Sequence, residues 1–140
     1  MEGINVLLVD DEIEFVETLS KRLIKRGFNT TFVTGAKQAL EKIKTQEFDV
    51  AIVDVRMPEM DGITLLGEIK QIKPLIEVIL LTGYASVQSG IEGMKKGAFD
   101  YIMKPADIDE LVKKIRDAYE RKKQQEDRIA RAENTLLSRK

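Results

Sequence analysis

The stretch Ile52-Val53-Asp54-Val55-Arg56-Met57-Pro58 decides how this chain is read. Val50, Ile52 and Val53 make a short run rich in β-branched residues, and Pro58 cannot continue a ladder. Asp54 is therefore expected where a strand leaves its sheet. An acid at that place is, taken alone, more often a turn or cap residue. Its weight comes from what surrounds it.

Upstream, Ile4 to Val9 is apolar apart from Asn5 and reads as a strand buried on both faces, ending on Asp10-Asp11-Glu12. Ile13, Val16, Leu19, Leu23 and Ile24 follow at helical spacing, and Gly27 stops them. Phe28 to Val33 is a second strand, and Ala36, Ala39, Leu40 and Ile43 mark a second helix. Asp49 to Asp54 is the third strand. After the loop Met57-Pro58-Glu59-Met60-Asp61-Gly62, a helix carries Ile63, Leu66, Ile69 and Ile72 and closes at Lys73-Pro74. Ile76 to Leu81, interrupted by Glu77, is the fourth strand and runs into Thr82-Gly83-Tyr84. Val87, Ile91 and Met94 space a fourth helix that contains Gly90 and Gly93, each costing about 1 kcal/mol relative to alanine. That helix is expected to be the loosest, with slower amide exchange once both glycines become alanine. Phe99 to Met103 is a fifth strand, followed by Lys104-Pro105. Asp107 then stands at capping-box spacing before Glu110, and Ile108, Leu111, Val112, Ile115 and Tyr119 form the inner face of a last helix.

Alternation of this kind predicts an α/β fold: a doubly wound five-stranded parallel sheet, order 2-1-3-4-5, flavodoxin-like, with an extended C-terminal helix. The expected division is a domain over 1–119 and a helical extension or linker over 120–140. In the latter the apolar stripe lapses from Arg121 to Arg128 and resumes thinly at Ile129, Ala132, Leu136 and Leu137. A solvated, fraying helix is the plainer reading. A short two-stranded coil is the alternative, although roughly one and a half broken heptads do not make a stable one.

Composition narrows the chemistry. The 140 residues are 43% hydrophobic, enough for one domain with a real core. With 23 basic and 24 acidic residues, the net charge of −1 gives no global field toward nucleic acid or an anionic membrane. There is no cysteine, which fits a reducing cytoplasm, and no histidine, which removes imidazole bases, the Ser-His-Asp triad and nearly all zinc catalysis. The amino-terminal apolar run meets Asp10 too soon to be a signal peptide or membrane span.

In doubly wound sheets ligands bind beyond the carboxyl ends of the strands, where the order reverses. Asp10, Asp11, Glu12, Asp54, Thr82 and Lys104 fall at that edge. Carboxylates within about 4–6 Å of one another repel and require a cation or protons. Oxygen ligands without His or Cys select a hard ion, with Mg²⁺ the natural candidate; calcium would want its own twelve-residue loop, which is absent. The acids would repel an unaccompanied phosphate, which disfavours a dinucleotide or flavin site. A haloacid-type phosphatase would need a second acid two residues after Asp54, where Arg56 stands.

Taken together and in order, Val9-Asp10-Asp11-Glu12, Asp54 with Met57-Pro58 and Asp61-Gly62, Leu81-Thr82-Gly83, and Gly97-Ala98-Phe99-Asp100-Tyr101 leading to Lys104-Pro105 resemble the receiver domain of two-component response regulators, from Ile4 to Tyr119. The resemblance implies that Asp54 accepts a phosphoryl group from a phosphohistidine on a sensor histidine kinase or phosphotransfer protein. It implies Mg²⁺ bound directly by Asp11 and Asp54, through water by Asp10, and by the Arg56 carbonyl. Lys104 would pair with a phosphoryl oxygen across a cis bond to Pro105, and Thr82 would donate its hydroxyl after transfer. Thr82 and Tyr101 would switch the face of the fourth helix, fifth strand and last helix. Arg56 and Tyr84 would shield the acyl phosphate and slow its loss. Glu12 is either a metal-site acid or a first-turn residue favoured by the helix dipole, the latter being preferred.

The resemblance is closer to receivers of nitrogen-regulator-type activators, or to free-standing ones, since Ala106 stands where the winged-helix type usually has phenylalanine. It implies a cytoplasmic phosphoprotein without enzymatic action on external substrates, while the near-neutral charge argues against direct nucleic-acid or membrane binding. Its partners would be a kinase, an output domain or protein, and a second copy through the switching face or the C-terminal helix. A constitutive interaction module with a receiver fold is the alternative function.

Overall fold

A strand whose successive side chains are all apolar has to be covered on both faces, and the central strands of this sheet are of that kind. The computed structural model describes residues 3–83 and 87–138, so Tyr84 lies outside the described residues. Strands and helices alternate: β1 (Asn5–Val9), α1 (Ile13–Lys25), β2 (Asn29–Val33), α2 (Ala36–Thr45), β3 (Val50–Val53), α3 (Gly62–Ile72), β4 (Glu77–Thr82), α4 (Val87–Lys95), β5 (Asp100–Met103) and α5 (Ile108–Ser138). All pairings are parallel and the order is β2-β1-β3-β4-β5, as expected. Ile4, Phe28 and Phe99 precede their strands instead of opening them, and Thr82 is the last residue of β4.

The two-residue period of each strand sorts its side chains between two cores. Val6, Leu8, Ile52 and Ile79 pack against Val16 and Leu23 of α1 and Leu111 and Ile115 of α5. Leu7, Val9, Val53 and Leu80 pack on the other side, against Ile43 of α2 and Leu66 and Ile69 of α3. Each fully buried leucine or isoleucine contributes roughly 1.5–3 kcal/mol. This two-sided packing fixes which residues lie at the carboxyl ends of the strands.

The fourth helix stands where the periodicity placed it, but its apolar stripe faces outward. Val87 is 83% exposed, and Ile91 and Met94 are each 50% exposed. Ser89 and Gly93 form the buried side, because a Cβ at Gly93 would overlap the Leu80 side chain. Close approach to the sheet, not looseness, accounts for glycine at that position.

The last helix is continuous over 31 residues. Beyond Tyr119 it stays tied to the amino-terminal edge of the sheet: Arg121 Nε is 2.9 Å from Glu77 Oε2, and Lys122 Nζ is 3.1 Å from Asp49 Oδ1 and 2.8 Å from Glu126 Oε2. The other Asp49 oxygen accepts the Asn5 amide at 2.9 Å. Glu77, which interrupts an otherwise apolar strand, is thus buried with charged partners, Arg121 and, at 3.8 Å, Lys70. From Asp127 to Ser138 the helix is exposed throughout. No helix among the described residues is long and apolar enough to cross a membrane.

The glycines of α4 should therefore respond differently to alanine. Gly93→Ala is expected to destabilise by about 1–3 kcal/mol through overpacking against Leu80. At Gly90 the added methyl would meet the Tyr101 ring at an ordinary 3.7 Å. There alanine should be neutral or stabilising by up to about 1 kcal/mol. Urea denaturation of the two variants checks the contrast.

Candidate functional site

Three backbone hydrogen bonds carry the ladder one residue beyond the strands. The Asp54 amide donates to the Val9 carbonyl at 2.9 Å, the Asp10 amide to Val33 at 3.3 Å, and the Lys104 amide to Thr82 at 2.8 Å. They align the carboxyl-end residues at one edge, over the β1/β3 boundary where the strand order reverses. Asp10 and Asp54 are both buried there.

The loop after Asp54 folds back upon it. Asp61 caps α3, its carboxylate accepting the Thr64 amide at 2.8 Å, and the Gly62 amide donates to the Val55 carbonyl at 2.7 Å. A Cβ at Gly62 would run into the Asp54 carbonyl oxygen, so only glycine fits. The Asp61-Gly62 pair is thereby explained by a cap and a close approach.

Lys104 reaches the acids from the end of β5 and its bond to Pro105 is cis, in line with the resemblance. Its Nζ lies 2.7 Å from Asp10 Oδ2, 2.7 Å from Glu12 Oε1 and 4.0 Å from Asp54 Oδ2. The same ammonium sits 4.2 Å from the centroid of the Phe15 ring, within cation–π range. Burial, the largest single influence, lowers the pKa of Lys104. The hydrogen bonds to Asp10 and Glu12 and the charges of Asp10 and Asp54 outweigh it and hold the group above the ordinary 10.5. For Asp10, burial and the neighbouring Asp54 charge prevail over the bonds from Lys104 and the Glu12 amide, leaving its pKa above 3.8.

Asp10, Glu12 and Asp54 each offer a carboxylate oxygen within 4.8 Å of the other two. Three hard oxygens fit a divalent cation of the Mg²⁺ or Ca²⁺ kind and leave coordination positions for water and a ligand oxygen. Asp11 is exposed and lies outside this group, whereas Glu12, for which the sequence left a metal-site acid open beside the preferred helix-dipole role, belongs to it. Arg56 is exposed, and its amide lies 3.4 Å from Asp54 Oδ1. Thr82 is 1% exposed at the same edge. Tyr101 is half-buried against α4, its ring over Gly90 and its hydroxyl 3.4 Å from that of Ser89. The sequence reading missed the contacts of Glu12 and Phe15 with Lys104, 92 residues away from Glu12 in the chain. No local pattern signals such a pairing.

Among protein families, the response regulator receiver domain matches residues 6–116. The chain is 44% identical over 110 residues to the transcriptional regulatory protein ZraR of Escherichia coli K12, covering 79% of this chain and 25% of that protein. It thus spans about a quarter of the length of that relative. Among solved structures, the beryllofluoride-activated NtrC4 receiver domain dimer aligns with a TM-score of 0.80 and 34% identity, over 84% of this chain and 98% of that one. A response regulator from Burkholderia pseudomallei with a phosphorylated aspartic acid, calcium ion and citrate aligns with a TM-score of 0.78 and 26% identity, over 89% and 73%.

The raised pKa of Asp10 has a consequence for stability. A group that binds its proton more tightly when folded gives stability that is present at low pH and lost as pH rises through the folded value. At neutral pH the charged Asp10 of the metal-free chain is a net burden. With a chelator present, Asp10→Asn is expected to be more stable than the wild type at pH 7, and its advantage should shrink as pH falls through the raised pKa. Urea titrations at a series of pH values measure that difference. The Lys104 contribution runs at the other end of the scale, holding below 10.5 and fading as pH rises through its raised value.

Proposed function

The chain belongs to the response regulator receiver domain family, and we propose that it works as the phosphoacceptor of a two-component system, taking a phosphoryl group on Asp54 from a kinase phosphohistidine with Mg²⁺. The observation that carries this reading is the buried Asp54 carboxylate at the reversal point of the sheet, grouped with Asp10 and Glu12 and 4.0 Å from the Lys104 ammonium. Phosphoryl transfer asks little covalent chemistry of a protein. It asks for an in-line acceptor and for positive charge around the equatorial oxygens.

Each residue has a part in that step. Asp54 is the acceptor, attacking phosphorus through a carboxylate oxygen while the histidine nitrogen leaves. Asp10, Asp11, Asp54 and the Arg56 carbonyl would hold Mg²⁺, which when bound would supply positive charge to the phosphoryl oxygens. Lys104 supplies a further cation and Thr82 a hydroxyl. Thr82 moving toward the new dianion makes room for Tyr101, and the α4–β5–α5 face changes as a unit. Turnover of an external substrate is not part of this reading, since Arg56 stands two residues after Asp54, where a haloacid-type phosphatase carries its second acid. Assembly of the acids, Thr82 and Lys104 at one edge counts against the constitutive-module reading.

The outward apolar stripe of α4, together with Met103 at 59% exposure, is the surface for an output partner or a second copy. Residues 1–119 are the receiver body, and 120–140 lead toward an output domain, in keeping with a relative about three times as long as this chain. The expected location is the cytoplasm.

Intact-protein mass after incubation with a small acyl-phosphate donor tests the acceptor step. One phosphoryl adduct is expected with Mg²⁺ and none without it or in Asp54→Ala. An adduct that persists in Asp54→Ala, or no adduct and no binding of beryllofluoride, overturns the reading.

A further inference from the structure

We propose that Glu12 is a positioning residue for Lys104, holding the ammonium in the unphosphorylated chain and releasing it to the phosphoryl group on Asp54. This rests on the acceptor reading of Asp54. Glu12 occupies the N-cap position of α1, yet its side chain makes no cap hydrogen bond. The short Ser, Thr, Asp and Asn side chains accept a first-turn amide at that position, whereas the longer glutamate can reach past the helix end. Here the carboxylate turns to Lys104 at 2.7 Å instead.

An ammonium has three N–H groups. Two of those on Lys104 point to Asp10 and Glu12, each 2.7 Å away, while Asp54 at 4.0 Å is beyond hydrogen-bond range. Glu12 and Phe15, both from the start of α1, hold the ammonium on the α1 side of the acid edge. When a dianion arrives on Asp54, one contact has to weaken. The Asp10 carboxylate is 6% exposed, so water reaches it far less readily. The Glu12 carboxylate is 65% exposed, so water replaces its partner as the ammonium leaves. Glu12 is thus the contact that yields, and it competes with the phosphoryl group for the same donor.

Glu12→Gln tests this without removing a cap bond. The Glu12 amide, which donates to Asp10 Oδ1 at 2.9 Å, is retained. Three readouts apply. With neither metal nor mimic present, the Lys104 ammonium protons, followed by NMR on ¹⁵N-lysine protein, should exchange with water severalfold faster in Glu12→Gln. At saturating Mg²⁺, beryllofluoride should bind about three- to fivefold more tightly to Glu12→Gln, the scale of one partly exposed ion pair, with no gain in a Lys104→Met background. Mg²⁺ alone should bind the variant with an affinity within about twofold of wild type, as expected when Glu12 is not a principal ligand.

Unchanged ammonium exchange overturns the holding role. An equal gain in the Lys104→Met background means that Glu12 acts through its charge alone, and a tenfold or greater loss of Mg²⁺ affinity makes it a metal ligand; either result overturns the proposal. If wild type fails to bind beryllofluoride, the acceptor reading and the releasing step fall together. Holding is then judged by ammonium exchange.

Discussion

The hydrogen bond from the Asp54 amide to the Val9 carbonyl sets the terms for the rest of the molecule. It extends the β1–β3 ladder by one step and so places two buried acids, Asp10 and Asp54, next to each other. Side-by-side carboxylates with little water are unfavourable unless positive charge or protons accompany them. Burial first, and the Asp54 charge after it, raise the pKa of Asp10, and the ammonium of Lys104 is the internal answer to them. Around the same point the chain is closely constrained. Gly62 leaves room for the Asp54 carbonyl, Asp61 caps α3, and the cis bond after Lys104 accompanies its turn toward the edge.

At the opposite end of the strands a second set of charges works differently. Asp49 and Glu77 are paired with the oppositely charged Lys122 and Arg121, which hold α5 against the amino-terminal edge. The helix begins under an Asp107 cap close to Lys104 and passes these contacts before its exposed segment starts. One unbroken element therefore spans both ends of the sheet. Carboxylates outnumber Lys104 at the carboxyl end, whereas Asp49 and Glu77 each have a cationic partner at the other.

The placement of α4 follows from size. Ser89 and Gly93 let the helix approach β4 closely, and the larger Val87, Ile91 and Met94 are left outside. A helix held by small residues has little buried apolar area of its own, which suits a surface that rearranges. Tyr101, packed on Gly90 and facing Ser89, connects that surface to the strand beside Thr82.

The sequence by itself determined the sheet order, the edge and the acids on it. The alternation and the edge follow from local periodicity, from the two-sided burial of parallel strands and from the right-handed crossover, and the order is that of the flavodoxin-like doubly wound fold. Asp10, Asp54, Thr82 and Lys104 were legible because each terminates an apolar run. Tertiary structure alone decided which side of α4 is buried, since an apolar stripe at helical spacing reads the same whether it packs or waits for a partner. It also decided that Glu77 and Asp49 anchor α5, and that Glu12 faces Lys104 in place of the helix amides. Charge pairs between residues far apart in the chain leave no periodic trace, because distance along the sequence says nothing about which ends the fold brings together.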